Sequence, residues 1–130
     1  MLDLHSYTHR RAGPRAAPAD EAANPEVNLG TGTMDRDYWS FLVDAFLAGI
    51  SQSRWQGRLL DVRENVKFKG GYLARWLHQR YPRQVCVLSV EVKKIFMDEW
   101  TGTIDVRLSE AIGGVLERGV ERARSVLATP

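Results

Sequence analysis

The chain has one cysteine, Cys86, so no intrachain disulfide can staple it. Cys86 sits inside the apolar run "VCVLSV", where a thiol reads as a small buried hydrophobe rather than a nucleophile. No apolar run is long enough to span a bilayer. Asp3, His5, Arg10 and Arg11 interrupt the apolar segment that a secretory leader would need. Charge of one sign is scarce as well: 18 Lys and Arg against 16 Asp and Glu leave a net +2. The basic residues are scattered rather than striped, which argues against a nucleic-acid partner. A membrane partner is likewise not expected, and a cytoplasmic, reducing setting is the default. No internal repeat is visible.

What is present has the composition of a soluble globular protein, 44% hydrophobic and 26% charged in 130 residues. That length suits one domain, residues 1–130, able to bury roughly two-thirds of its unfolded surface. "MLDLHS" reads as a short strand with no lead-in, which suggests a piece of a longer domain. From Tyr7 to Thr33 the chain is rich in Gly and Pro. It is expected to be irregular, with a mobile loop over about residues 10–28. Asp35 is placed to cap a helix, in which Trp39, Leu42, Val43, Phe46, Leu47 and Ile50 recur at three- and four-residue steps. Arg58–Arg63 reads as a second strand. "KFKGGYLARWLHQRYP" opens with a glycine pair and becomes a short helix that stops before Pro82. The run from Val85 to Val92 reads as a strand apolar on both sides, as in the centre of a parallel sheet. A last helix covers about Asp105 to Leu127, with a stripe of Leu108, Ala111, Ile112, Val115, Leu116, Ala123, Val126 and Leu127. Gly113 and Gly114 either weaken it or admit a close neighbour.

Strands separated by helices give an α/β fold with a mixed, partly parallel sheet flanked by helices. Ligands in such sheets bind beyond the carboxyl ends of the strands. His5 and Glu91 lie at two such ends. If those strands run parallel, both residues reach one rim.

The segments "DLHSYTHRR", "NLGTGTMDRDYW", "ENVKFKGGYLARW" and "VLSVEVKKIFMDEWTG" together resemble the C-terminal half of the N-formylglutamate amidohydrolase family. The family is similar in architecture to zinc carboxypeptidases. The matching pieces are Asp3–Ser6, Asn65–Gly71 and Glu91–Glu99, in the family's order. The resemblance implies a phosphorylase/hydrolase-like fold, incomplete at its N-terminus, and a zinc-dependent amide hydrolase acting on N-acyl amino acids such as N-formylglutamate. It implies His5 as a zinc ligand and Glu91 as the general base and acid. It places Asn65, Gly70, Gly71 and Arg75 near the substrate carboxylates. Arg63, Lys67 and Lys69 cluster close by, and Arg63 is the candidate for bidentate carboxylate binding. The family's first two ligands come from a His-x-x-Glu element that this sequence does not contain. Catalytic zinc takes three protein ligands. The chain is therefore expected to be inactive alone, or to need a partner chain or self-association to supply the rest. The alternative is a truncated remnant or binding module without catalysis.

Each residue also has a plain reading. His5 can be a strand-end histidine bonded to backbone or solvent. Glu91 can pair with Lys93, which shares its strand face at period two. Gly70 and Gly71 can be a simple strand-to-helix turn, and the basic residues around them a solvated turn. "HSYTH" has the spacing of a helical metal pair, but its strand and glycine context makes His9 a surface-loop residue. His78 is expected to be structural or exposed, and Met97, Trp39 and Trp76 to pack in the core or at its rim.

Overall fold

The structure is a computed structural model and describes residues 1–128. A four-stranded mixed sheet forms its centre. The strands are β1 (Leu2–Tyr7), β2 (Val27–Gly30), β5 (Val62–Glu64) and β6 (Leu88–Lys93), in the order β1-β6-β2-β5. β1 and β6 are parallel, β6 and β2 antiparallel, and β2 and β5 parallel. β3 (Arg54–Trp55) and β4 (Arg58–Leu59) make a separate two-stranded hairpin. The helices among the described residues are α1 (Ser40–Ser51), α2 (Tyr72–Arg80) and α3 (Val106–Leu127). None is long and apolar enough to cross a membrane.

The expected parallel pairing of "MLDLHS" with the Val85–Val92 run is present, with His5 opposite Glu91. The second strand is not apolar on both sides. It begins at Leu88, and side chains alternate across its faces. Leu88, Val90 and Val92 join Val27 and Leu29 in the core, while Ser89, Glu91 and Lys93 face the other way.

The Tyr7–Thr33 segment is not irregular throughout. It contains β2, which is buried along its whole length between β6 and β5. Four residues are too few to show a clear period, and Gly30 and Gly32 masked them. The loop before β2 is tied at several points. The Arg63 guanidinium donates to the carbonyls of Glu21 and Ala22, and Trp100 Nε1 donates to the Arg10 carbonyl at 2.9 Å. The Arg58–Arg63 strand is likewise two pieces, β4 and β5, because Leu60 and Asp61 break the pairing.

α1 and α3 cover the apolar face. Leu42, Val43, Phe46 and Ile50 of α1 meet Ile112, Val115, Leu116 and Ala123 of α3 and the sheet. Asp105 caps α3 by accepting from the Leu108 N–H at 3.1 Å. Asp35 does not cap α1, which begins at Ser40. It accepts from the Tyr38 N–H in the preceding turn and receives Arg83 at 2.8 Å. The expected close helix contact occurs not at Gly113 and Gly114 but at Gly49 and Gly119. A Cβ on Gly119 would stand 2.6 Å from Ile50 Cγ2, and one on Gly49 would stand 2.8 Å from the Arg118 carbonyl oxygen. Both distances are shorter than any relaxed carbon contact, so the two glycines set the helix separation. Ala111 and Leu127, placed in the α3 stripe from sequence, are exposed.

Candidate active site

The polar face of the sheet is organised by register. His5 of β1 stands opposite Glu91 of β6, Glu91 opposite Asn28 of β2, and Asn28 opposite Arg63 of β5. One row of four residues thus crosses four strands. Period-two alternation puts Asp3, Ser89 and Lys93 on the same face, one step up or down.

His5 Nε2 lies 2.8 Å from Asp3 Oδ1 on the same strand face. Beside them, Glu91 has no ion pair and no hydrogen-bonded side-chain partner among the described residues. Burial pushes its carboxyl above the ordinary range, His5 pulls it part of the way back, and Asp3 adds to the rise. The plain reading of an ion pair with Lys93 does not hold. Lys93 is buried, and its ammonium donates to the Asn24 carbonyl at 2.8 Å. Asp3, His5, Ser89 and Glu91 form the floor of a cavity of about 250 Å³, and Gly71, Tyr72 and Leu73 at the start of α2 line its other side.

Asn28 holds the loop that leads to this wall. It is fully buried. Its amide donates to the Phe68 carbonyl at 2.8 Å, and its oxygen accepts from the backbone N–H of Lys67 at 2.8 Å and of Phe68 at 3.3 Å. Asn65, with φ +56°, works in the same way. Its oxygen accepts from the Thr31 N–H and its amide donates to the Thr31 hydroxyl, both at 2.8 Å. The loop then passes directly over β2. A Cβ on Gly30 would stand 2.6 Å from the Gly70 nitrogen, and Gly70 itself has φ +115°, which a side chain rarely adopts.

The expected site residues therefore separate into groups. His5, Glu91 and Gly71 line one cavity. Asn65 and Gly70 shape the loop that positions its wall. Arg63 is in the row, but its guanidinium is bonded to Asp61 at 2.9 Å and to two loop carbonyls. Arg75 is exposed on α2, one turn past Gly71. Lys67 donates to the Asn24 side chain at 2.6 Å and lies 5.4 Å from the Tyr7 ring centroid.

His9 lies past the end of β1, so His5 and His9 are not a helical pair. The backbone N–H groups of His9 and Arg10 donate to the Glu99 carboxylate at 3.2 and 2.5 Å, which binds that loop to the Met97–Glu99 turn. Burial, Lys93 and Arg10 hold the His9 imidazole below its ordinary range. His78 is structural. Its Nε2 accepts from the Val87 N–H at 3.0 Å, so the proton is on Nδ1, which donates to the Thr33 hydroxyl at 3.0 Å.

No three His, Cys, Asp or Glu side chains are gathered for a metal ion among the described residues. Asp3 and His5 are the nearest to such a set, and they are two. The described residues do not by themselves fit a catalytic zinc site.

No family model matches this chain, and no curated protein matches it. Among solved structures it is similar to the N-formylglutamate amidohydrolase from Ralstonia eutropha JMP134. The TM-score is 0.65 and the identity 20%, over 96% of this chain and 42% of that one. The two share a fold, and this chain spans less than half the length of that protein.

Asn28 and Ser89 were missed in the sequence. Ser89 was within reach, since it is two residues from Glu91 on a strand and shares its face. Asn28 was not, because "VNLG" is too short to show a period.

Proposed function

We propose that this chain is the base-bearing part of an amide hydrolase acting on N-acyl amino acids, N-formylglutamate among them. The observation that carries the reading is Glu91: a carboxylate without a partner, raised by burial, in a cavity beside an Asp–His pair. A carboxylate with increased proton affinity suits general-base work. In this reading Glu91 takes a proton from the water attacking the amide carbonyl and passes it to the leaving amine. Asp3 fixes the His5 ring through Nε2 and leaves Nδ1 open, the arrangement that orients a metal-binding imidazole. His5 would be the one ligand this chain gives to a zinc ion, which in a complete domain polarises the carbonyl. The fold shared with the Ralstonia protein supports the substrate class, and the exposed Arg75 is available for a substrate carboxylate.

The remaining ligands would come from a partner chain, a second copy or further sequence. β1 forms one edge of the sheet, and a groove of about 590 Å³ lined by Leu4, Val92, Phe96 and Ile112 lies beside it. Such an edge and groove suit an added element. Burial pushes the Cys86 thiol up to about 11, which leaves little thiolate and makes it a poor nucleophile.

The shortage of metal ligands favours a second reading, a binding module or remnant without catalysis. A fusion separates the two. The part of the Ralstonia amidohydrolase that this chain lacks is joined to it, loaded with zinc and assayed on N-formylglutamate. Glu91→Gln is expected to lower kcat by roughly 10²- to 10⁴-fold with KM little changed. His5→Ala is expected to lose metal and activity together. Near-normal kcat in Glu91→Gln would rule out the general-base role. A zinc-loaded fusion that hydrolyses no N-acyl amino acid would leave the binding module.

A further inference from the structure

β1 is a free edge of the sheet, and its pairing with β6 uses the backbone groups of alternate residues only. The carbonyls of Met1 and Tyr7 accept from the N–H groups of Leu88 and Lys94, both at 2.9 Å, so Met1, Asp3, His5 and Tyr7 turn their backbone groups toward β6. Leu2, Leu4 and Ser6 therefore turn theirs outward, where no strand among the described residues pairs with them. Edges are usually guarded by proline, lysine, a bulge or a covering segment. β1 reads "LDLHSY": it has no proline or lysine, its register with β6 is unbroken, and Leu4, His5 and Ser6 are exposed. Leu4, 53% exposed, borders the groove of about 590 Å³ that Val92, Phe96, Ile112 and Leu116 also line.

We infer that β1 pairs antiparallel with β1 of a second copy of this chain, about a two-fold axis through Leu4, and joins two four-stranded sheets into one. Hydrogen-bonded residues stand directly opposite each other in an antiparallel pair, so the outward groups require Leu2, Leu4 and Ser6 to face one another. Centred on Leu4, the strand is complementary to its own reverse. Leu4 meets Leu4 of the second copy, Leu2 meets Ser6, and Asp3 meets His5 twice. The Asp3–His5 pairs fall at the positions without hydrogen bonds, where side chains approach most closely. A shift of two residues one way sets Asp3 against Asp3, and like charges directly opposite are destabilising. A shift the other way sets His5 against His5 and Leu4 against Ser6. That self-match favours a second copy over a foreign strand. On the polar face the β1–β6 register carries the pairing outward: Glu91 and His5, then Asp3 and Ser89 of the second copy, form one row across the junction. No carboxylate in that row stands next to another, and Asp3 of each copy joins the rim of the other's Glu91 cavity. On the apolar face the two Leu4 side chains cover each other between the two grooves. The pairing goes beyond the hydrolase reading and does not depend on it.

The test is the mass of the intact chain by sedimentation over a concentration series, with hydrogen exchange of the β1 amides. The mass is expected to rise from 14.7 kDa toward twice that value, and the Leu2, Leu4 and Ser6 amides to become protected as it does. The Asp3 and His5 amides, already turned to β6, should not change. Leu4→Lys sets two ammonium groups together at the axis and should weaken the dimer at least about ten-fold. His5→Asp puts carboxylate against carboxylate in both pairs and should weaken it by about ten-fold. Adding Asp3→His to that variant again places an imidazole opposite each carboxylate and should return the affinity to within about three-fold of wild type. Glu91 faces residue 5 in the single and the double variant, so its influence cancels between them. A monomer at millimolar concentration, an undiminished dimer in Leu4→Lys, or no recovery in the double variant would overturn the pairing. The double variant decides alone if Leu4→Lys does not fold. Amide protection that arises only when the part of the Ralstonia amidohydrolase lacking here is added would give the edge to that element and overturn the pairing too. A monomer leaves the Glu91 assignment standing, and an inactive zinc-loaded fusion leaves the dimer standing.

Discussion

Leu88, Val90 and Val92 leave one side of β6, and Ser89, Glu91 and Lys93 leave the other. The first side is closed by two helices in contact through glycines. The second is roofed by a loop and the start of a short helix, and it keeps a cavity. Packing accounts for the apolar residues of β6: Leu88, Val90 and Val92 are each buried in the hydrophobic core. The polar side is different. Lys93 and Asn28 are buried and each has hydrogen-bond partners, whereas Ser89 and Glu91 are buried or half-buried and their side chains have none among the described residues. A protein interior tolerates few such groups, and these two are adjacent on one strand face and share one cavity. The contrast locates the site without reference to any relative.

The comparison can be broken from either side. Phe46 is fully buried at the centre of the helix–sheet core. Phe46→Ala should cost about 3–5 kcal/mol, enough to threaten folding, as read by chemical denaturation. On the polar side Asn28→Ala leaves the Lys67 N–H and the Phe68 carbonyl without partners. It should cost about 3 kcal/mol, the upper end for orphaned buried groups, and should also loosen the loop before α2 in hydrogen exchange. A cost near zero would mean that the loop does not depend on Asn28. Gly119→Ala drives a methyl into Ile50 and Phe46 and should cost about 2 kcal/mol by overpacking, with the Glu91 cavity unaffected.

A smaller effect sharpens the comparison through pH. Burial holds the His78 imidazole below its ordinary value of 6.5, with the N-terminal ammonium adding to the shift. The unfolded chain thus binds a proton more readily than the folded one. The sign follows: stability is complete above about pH 6.5 and is lost as pH falls below it, because the charged ring can no longer accept from the Val87 N–H. His9 is shifted in the same direction. Replacing His78 with Asn should lower stability at pH 7 and flatten, without removing, the decline between pH 7 and 5. An unchanged slope would assign the dependence to His9 alone.

Much of the fold could be read from the sequence because helical periods and one long strand carry it. The stripe from Trp39 to Ile50 and the last helix from about Asp105 were visible as patterns, and the parallel pairing of β1 with β6 followed from two strand ends that needed a common rim. β2 was not visible. It is four residues long, set in a glycine-rich stretch, and buried by its neighbours rather than by its own pattern. The site divides in the same way. His5 and Glu91 stand out as polar residues in apolar strands. The duties of Asn65, Gly70 and Arg63 inside the loop scaffold depend on contacts with Thr31, Gly30 and Asp61, which no local pattern announces. Ser89 looks ordinary until its hydroxyl is seen to be buried and unbonded.

The central claim is that Glu91 is an unpartnered, functional carboxylate and not the structural partner of a cation. Its side-chain carbon, followed by NMR as pH is varied in the intact chain, measures this directly. The account predicts a midpoint above the ordinary glutamate value of 4.5, moving down when Asp3 is replaced by Asn. With a raised folded pKa, ionised Glu91 is a cost that appears as pH rises through its midpoint, so Glu91→Gln should also raise Tm at pH 7. A midpoint at or below 4.5 would show the carboxylate held by a cation, with Lys93 the first suspect, and would contradict the account.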